Sequence, residues 1–539
     1  MRRARRLSLW LAAIAAVSMH TALAQPTSDR YQLDRLVPPS DFHGVHGLAF
    51  DAQGVLYAGS VVGHSIYRVD TATGKVTSFV GAPDGMADDL VFLADGTVVW
   101  TSIQHGVVRA RKGDGPIRKI AELVSVNSIN VRKSDGRLFA AQVFGGDGLW
   151  ELDPAGVQPP RLILQDLGGF NGFDIGPDGK LYGPLWFKKQ VVRIDPDNGK
   201  LDVVADGFDT PAAANFDSKW NLYVLDTARG EVVRVDIGSG KKKVVAKLAT
   251  ALDNLAIDAR DRVFVSNMAD NGIQQVDVVK GTARQVVKGK LAIPLGIAAV
   301  ADGSRDTLYV ADVFALRTVD SVQGKVTDVA RSHAAGTTIG YPVAVTATQR
   351  YVIVTNNEGP VQRYERSTMK LVQSWTDTHA GNAIEMPSGA LIVAETTRGK
   401  LSRISGNGSG EERDEILADL AAPLGLAIAD DSAVYVSEMA AGQVSQINVN
   451  SGARRVIAKG LDRPQGIATD GPAVLVVEAG KGRLLRVDPG TGAVEVVASD
   501  LPIGLANVPI TLSGVAVGAG GTIYVTSDVE NSIWRLRKK

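Results

Sequence analysis

Six positions in the first half of the chain, His46, Asp88, Asn127, Asn171, Ala212 and Asp253, recur at intervals of about 42 residues. Five of them carry polar side chains. If a fold brought them together, two kinds of chemistry would be open to them. The carboxylate and carboxamide oxygens form a hard-donor set that suits calcium or another divalent cation, with no cysteine in the chain to favour a softer metal. The imidazole of His46 titrates near neutrality and can take a proton from water. A single Asn or Asp at a strand entry ordinarily hydrogen-bonds its own backbone in a turn. Five converging polar groups are another matter, because crowded carboxylates repel unless a cation or protons neutralise them.

The elements that would position these residues are short strands. Phe170–Tyr182 reads Phe-Asn-Gly-Phe-Asp-Ile-Gly-Pro-Asp-Gly-Lys-Leu-Tyr, a short alternating strand, a Pro-Asp-Gly turn and the start of a second strand. Val191–Ile194 and Leu201–Val204 add two more around another turn, which makes four antiparallel strands, one propeller blade. The unit recurs along the whole chain at positions 47, 89, 128, 172, 213, 254, 296, 342, 382, 425, 466 and 514. The period of two and the Gly and Asn-Gly punctuation exclude coiled coils and helical repeats. Twelve blades exceed what one ring closes with, so the sequence predicts an all-β fold of two tandem six-bladed β-propellers.

The innermost strand of a blade lines the central channel, and the residue before it opens on one face of the ring. In the second half those positions are Leu295, Tyr341, Gly381, Leu424, Gln465 and Ser513, none ionisable near neutral pH. Tyr31–Val37 looks like an outermost strand, whereas Ser532–Arg537 is only a third strand, so the N-terminal strand is expected to close the second propeller. The expected division is 1–24 a leader, 25–37 the closing strand, 38–291 the first propeller and 292–539 the second.

Met1–Ala24 has an arginine-rich start, an apolar stretch from Leu7 to Val17 and an Ala-Leu-Ala cleavage site, the pattern of a secretory signal peptide. The stretch is too short and interrupted for a membrane anchor. A periplasmic or secreted protein is expected. Losing the leader removes four of 58 basic residues and none of 58 acidic ones, which leaves a slightly acidic protein. Nothing in the charge pattern suggests a nucleic-acid or membrane partner.

At the polar positions the chain resembles a known superfamily. Leu252-Asp253-Asn254-Leu255 is similar to the calcium-binding Asp-Asn segment of the serum paraoxonases. Asn171-Gly172 resembles the Asn-Gly ligand segment that they share with the regucalcin/gluconolactonase family. Asn127-Ser128 resembles an Asn-Asp ligand segment, with Ser128 in place of the acid. Asp88-Asp89-Leu90 resembles their Glu-Asp-Leu, and His46-Gly47-Leu48 the His-Gly-Ile of the paraoxonase catalytic histidine. The chain departs from that pattern in three places: His46 precedes Asp88, Asp253 falls in the sixth repeat, and Ala212 leaves a gap.

The resemblance implies a calcium-dependent hydrolase of lactones or aryl esters in the first half. Asp88, Asn127, Asn171, Asp253 and Asn254 would hold the metal, and His46 would be the general base. Loops between second and third strands bring His64, His105, Phe144, Trp186, Phe187 and Lys188 toward the same face as candidate walls for a small-molecule lactone or ester. In the second half, Leu426–Glu438 resembles the repeats of streptogramin B lyase and related NHL-type propellers. A carbon–oxygen lyase is therefore one alternative, although His333 and His379 are not paired in sequence. The other is a non-catalytic binding platform with a structural cation.

Overall fold

The computed structural model describes residues 25–357, 359–376, 378–406, 410–505 and 512–539. The expected leader lies outside the described residues. The fold is all-β and propeller-like: the described strands form four-stranded antiparallel sheets, twelve among the described residues, each with its strands in sequential order except one. In that one, Tyr31–Val37 joins as the outer strand, paired antiparallel with Ser532–Lys538 from Tyr31↔Lys538 to Val37↔Ile533. No helix among the described residues is long and apolar enough to cross a membrane.

Local sequence explains the sheets. Second strands such as Leu56–Ser60, Leu181–Leu185 and Val263–Asn267 are buried along their whole length. They are hydrogen-bonded on both edges and covered on both faces by adjoining sheets, so they read as continuous apolar runs. Outer strands such as Val76–Val80 are largely exposed. At the Pro177-Asp178-Gly179 turn, Gly179 takes a φ of 74° and its amide closes on the Gly176 carbonyl at 3.0 Å.

Sheets pack through their inner strands. In the first half Leu48–Phe50, Leu90–Phe92, Val126–Arg132, Asp174–Ile175, Pro211–Phe216 and Leu252–Ile257 touch in succession, and the last returns to the first. Pro294–Asp302 to Val515–Val517 make a second such cycle. Glycine permits this approach: a Cβ on Gly47 would stand 2.5 Å from the Asp88 carbonyl oxygen, which instead accepts the Gly47 amide at 2.8 Å. Side-chain hydroxyls tie neighbouring sheets together, as where Ser437 Oγ donates to the Gln465 carbonyl at 2.6 Å.

Residues from both halves pack together. Val62, Met268, Leu295, Phe314, Val343, Leu424 and Leu512 form one apolar cluster drawn from both. Around it, Asn531 Nδ2 donates to the Phe42 carbonyl at 2.6 Å, and Arg331 pairs with Asp270 at 2.5 Å.

Deleting residues 26 to 38 should strip the Ser532–Lys538 edge of its partner. The expected result is a melting temperature several degrees lower and loss of monodispersity on size exclusion. Unchanged melting would contradict a structural role for that strand.

Candidate functional site

Backbone irregularity aims the polar side chains. Asn127 is an extra residue between the Val126↔Gln142 and Ser128↔Ala141 pairs, and Ala212 is extra between Pro211↔Asp226 and Ala213↔Leu225. Asp253 and Asn254 sit together in a wider slip between Leu252↔Asn267 and Leu255↔Val265. Bulges of this kind turn a side chain out of the pleat. Asn127, Ala212, Asp253 and Asn254 thus line a cavity of about 290 Å³, joined there by His46, Asp88, Asp89 and Asn171.

His46 stands at its centre. Its Nδ1 lies 3.4 Å from Asp253 Oδ2 and 3.7 Å from Asp88 Oδ1. Burial alone would depress its pKa, but Asp253 and then Asp88 outweigh burial and hold it above the ordinary histidine value. Nε2 is buried with no hydrogen-bond partner. Burial drives Asp88 well above the carboxylate range, against the pull of His46, and the nearby Asp253 and Asp89 charges push it further. Asn171 Oδ1 accepts the Gly172 amide at 2.9 Å, the local turn bond that an Asn at such a position commonly makes.

Asp89, beside these residues, does different work. It accepts the Leu90 amide at 2.9 Å, the Ile129 amide of the next sheet at 3.1 Å and Asn254 Nδ2 at 3.2 Å. Burial raises its pKa to about 7 although the two amides pull the other way. It is a strut between sheets. The Asn254 amide nitrogen is turned to that strut, which leaves only the amide oxygen for a ligand.

Of the expected walls, Phe144 and Trp186 line the cavity, whereas His64, His105, Phe187 and Lys188 lie outside its lining. Phe187 packs against Phe144 with ring centroids 6.1 Å apart. His64 stacks edge-on with His105 at 5.2 Å, and burial, His105 and Arg109 together lower its pKa to about 4. First-half residues such as Val61, Gln104 and Met268 add to the lining, and the second half contributes Val313, Phe314, His333, Tyr341 and Asn357. The sequence assigned Tyr341 to the second channel. The bulged residue of that sheet is instead Val343, between Pro342↔Asn356 and Ala344↔Thr355, and Val343 enters the apolar cluster. Tyr341, two residues earlier, faces the first-half site. No local pattern signals a wall supplied across the seam.

The acids at the ends of second strands are structural. Asp312 accepts the Ala292 amide at 2.8 Å and the Ile293 amide at 2.6 Å, and Glu438 accepts the Ala421 amide at 3.2 Å and Arg454 Nη2 at 2.5 Å.

As a metal holder the site has the right donor type. Asp88 and Asp253 carboxylates and Asn127 and Asn171 amide oxygens are all hard ligands around one small cavity. Among the described residues no group of three or more His, Cys, Asp and Glu is disposed as a metal site. A cation would therefore depend on the amides and on water for much of its shell.

Residues 41–314 match the family model described as SMP-30/Gluconolactonase/LRE-like region. The chain belongs to that family. No curated protein sequence matches it. Among solved structures, a GH74 xyloglucanase from Xanthomonas campestris is 14% identical, covering 94% of this chain and 100% of its own, at a TM-score of 0.47. A structural-genomics structure assigned as a gluconolactonase is 13% identical, covering 49% of this chain and 99% of its own, at a TM-score of 0.38. Within this SMP-30/gluconolactonase-like chain the matched residues include all six inner sheets around the cavity, together with Phe314.

If Asp89 is a strut, Asp89→Ala should cost about 1–3 kcal/mol by leaving the Ile129 and Leu90 amides buried and unpaired. Denaturant unfolding would measure it, and a near-neutral substitution would return Asp89 to the ligand set.

Proposed function

We propose that this protein is a periplasmic or secreted, metal-dependent hydrolase of lactones or aryl esters, built as two tandem six-bladed propellers with the site in the first. The first propeller would run over 38–291 and the second over 292–539, with 25–37 closing the second. The observation that carries the proposal is His46. Asp253 Oδ2 lies 3.4 Å from Nδ1, Nε2 is buried without a hydrogen-bond partner, and His46 lines a cavity together with carboxylates and amides. That is the geometry of an oriented general base. Family membership supports lactone chemistry, and the leader supports export.

Asp88, Asp253, Asn127 and Asn171 would hold calcium, or another divalent cation, with Asn254 contributing at most its amide oxygen. When bound, the cation polarises the substrate carbonyl and stabilises the developing oxyanion, a contribution of several kcal/mol. The rest falls to the chain. Nε2 of His46 takes a proton from water as the water oxygen bonds to the carbonyl carbon. Collapse of the tetrahedral intermediate breaks the bond to the leaving oxygen, and the proton returns from His46 to that oxygen. Asp253 keeps the imidazole turned so that Nε2, not Nδ1, meets the water. Trp186 and Phe144 hold the apolar part of the substrate and limit water entry.

A second reading is favoured by one observation: Nδ1 of His46 lies near both Asp88 and Asp253, and a protonated imidazole can itself neutralise them. A non-catalytic binding platform would need no more.

Calorimetric melting with and without calcium, together with a panel of lactones and aryl esters, separates the two. Asp253→Ala should abolish hydrolysis and the calcium-dependent rise in melting temperature. His46→Gln should lower kcat by at least about a hundredfold while sparing calcium binding. Glu438→Ala should lower melting, because it leaves the Arg454 guanidinium unpaired, yet keep the calcium increment. If Asp253→Ala retains full calcium stabilisation, the metal assignment is wrong. A calcium-saturated wild type inert to the whole panel leaves the binding platform.

A further inference from the structure

Six rings form an unbroken arc of edge-to-face contacts along the cavity. Phe144 meets Trp186 at 5.7 Å, Trp186 meets His333 at 5.5 Å, and His333 meets Tyr341 at 5.4 Å. Tyr341 meets Phe314 at 5.9 Å and Phe314 meets His46 at 5.7 Å. Three of the six, Phe314, His333 and Tyr341, belong to the second half of the chain. All six line the same cavity.

Within the arc, hydrogen-bonding groups occur in three places. Two are His46 with the nearby carboxylates and the indole N–H of Trp186. The third is Tyr341, whose hydroxyl lies 2.8 Å from His333 Nε2. In the tautomer with Nε2 protonated, His333 donates to the phenolic oxygen and leaves the Tyr341 O–H free to turn to a ligand. The Tyr341 backbone is pinned as well, its carbonyl accepting the Asn357 amide at 2.8 Å. His333 itself holds a φ of 58°, a left-handed conformation for a residue with a side chain. A phenol fixed this way, in a wall built largely of ring faces, is a directional hydrogen-bond donor.

We infer that the second half is a working part of the site: Tyr341, positioned by His333, donates a hydrogen bond to the leaving or ring oxygen of a compact lactone or ester whose carbonyl sits at His46. The inference rests on the hydrolytic reading for its kinetic consequence, and its binding consequence stands apart. It makes Tyr341 a specificity-determining contact and His333 a positioning residue. It also makes the site composite, with the base from one half and the leaving-group contact from the other. A ligand must then carry two oxygens across a cavity of about 290 Å³, which favours a small ring ester over a long open-chain one.

The test uses the full-length protein with Tyr341→Phe, which removes one hydroxyl and keeps the ring, and His333→Gln, which keeps a donor at a similar reach. Two readouts are taken. Binding of the non-hydrolysable aryl lactam hydrocarbostyril is followed by tryptophan fluorescence and calorimetry, and hydrolysis of dihydrocoumarin gives kcat and KM separately. The lactam N–H replaces the ring oxygen, so Tyr341 must meet it through the phenolic oxygen, and binding should weaken by about tenfold or less in Tyr341→Phe. For the ester the loss should fall mainly on kcat, about tenfold or more, with KM changing little. His333→Gln should recover part of the function that His333→Leu loses. Wild-type values in both assays for a folded Tyr341→Phe would overturn the inference and leave the hydrolase proposal standing. A wild type that binds the lactam but hydrolyses nothing, with binding weakened in Tyr341→Phe, would support the contact and sink the hydrolase. If Tyr341→Phe does not fold, equal activity of His333→Leu and wild type overturns the inference instead.

Discussion

Asp88 and Asp253 approach the same nitrogen, Nδ1, of one imidazole, and much of the structure follows from burying that trio. Two carboxylates this close would repel in a desolvated cavity, and His46 lies 3.7 Å from one and 3.4 Å from the other. Holding them there takes the closed cycle of inner strands, because His46 stands on the first sheet, Asp88 on the second and Asp253 on the sixth. The Gly47 amide bonded to the Asp88 carbonyl fixes the first neighbour pair. The return of Leu252–Ile257 against Leu48–Phe50 fixes the other. A side chain on Gly47 would force that contact apart.

Buried acids elsewhere show what is distinctive here. Asp312 has two backbone amides and Arg317, and Glu438 has an amide, Ser445 and Arg454. Each such carboxylate has enough donors to repay its desolvation. Asp253 has His46 as its charged partner among the described residues. A charge left short of donors in a cavity is a place for a ligand, and one saturated with them is architecture. The same contrast separates Asp88 from its neighbour Asp89, which is saturated by two amides and Asn254.

The four-stranded antiparallel unit was legible because its signals are local: alternation within strands and Asp-Gly or Asn-Gly between them. Family membership was legible for a related reason, since short segments such as Asn171-Gly172 and Asp253-Asn254 resemble that superfamily in the chain itself. What failed was register and seam. Around Tyr341-Pro342-Val343 the entry residue is Val343, a shift of two that no turn residue announces. His333 and Phe314 sit in loops that look unremarkable alone, and they join the site only because the chain brings them into one cavity lining with His46 and Asp253. His64 and Lys188 were placed by loop position, which fixes the face a loop reaches and not where its side chains end.

That seam decides how the site behaves as well as which residues compose it. Phe314 packs edge-on against His46 and Tyr341 against Phe314, and Leu295, Val343 and Leu424 join Phe314 in one apolar cluster. Removing water raises the cost of the carboxylate pair and strengthens every interaction that offsets it, since both scale with the loss of dielectric screening. An open six-sheet ring would let solvent relieve Asp88 and Asp253, and the pull of any cation or developing charge on them would weaken in proportion. Placing Phe314, His333 and Tyr341 beside His46, Asp88 and Asp253 in one cavity lining therefore reduces the solvent contact of those polar groups and strengthens the interactions among them.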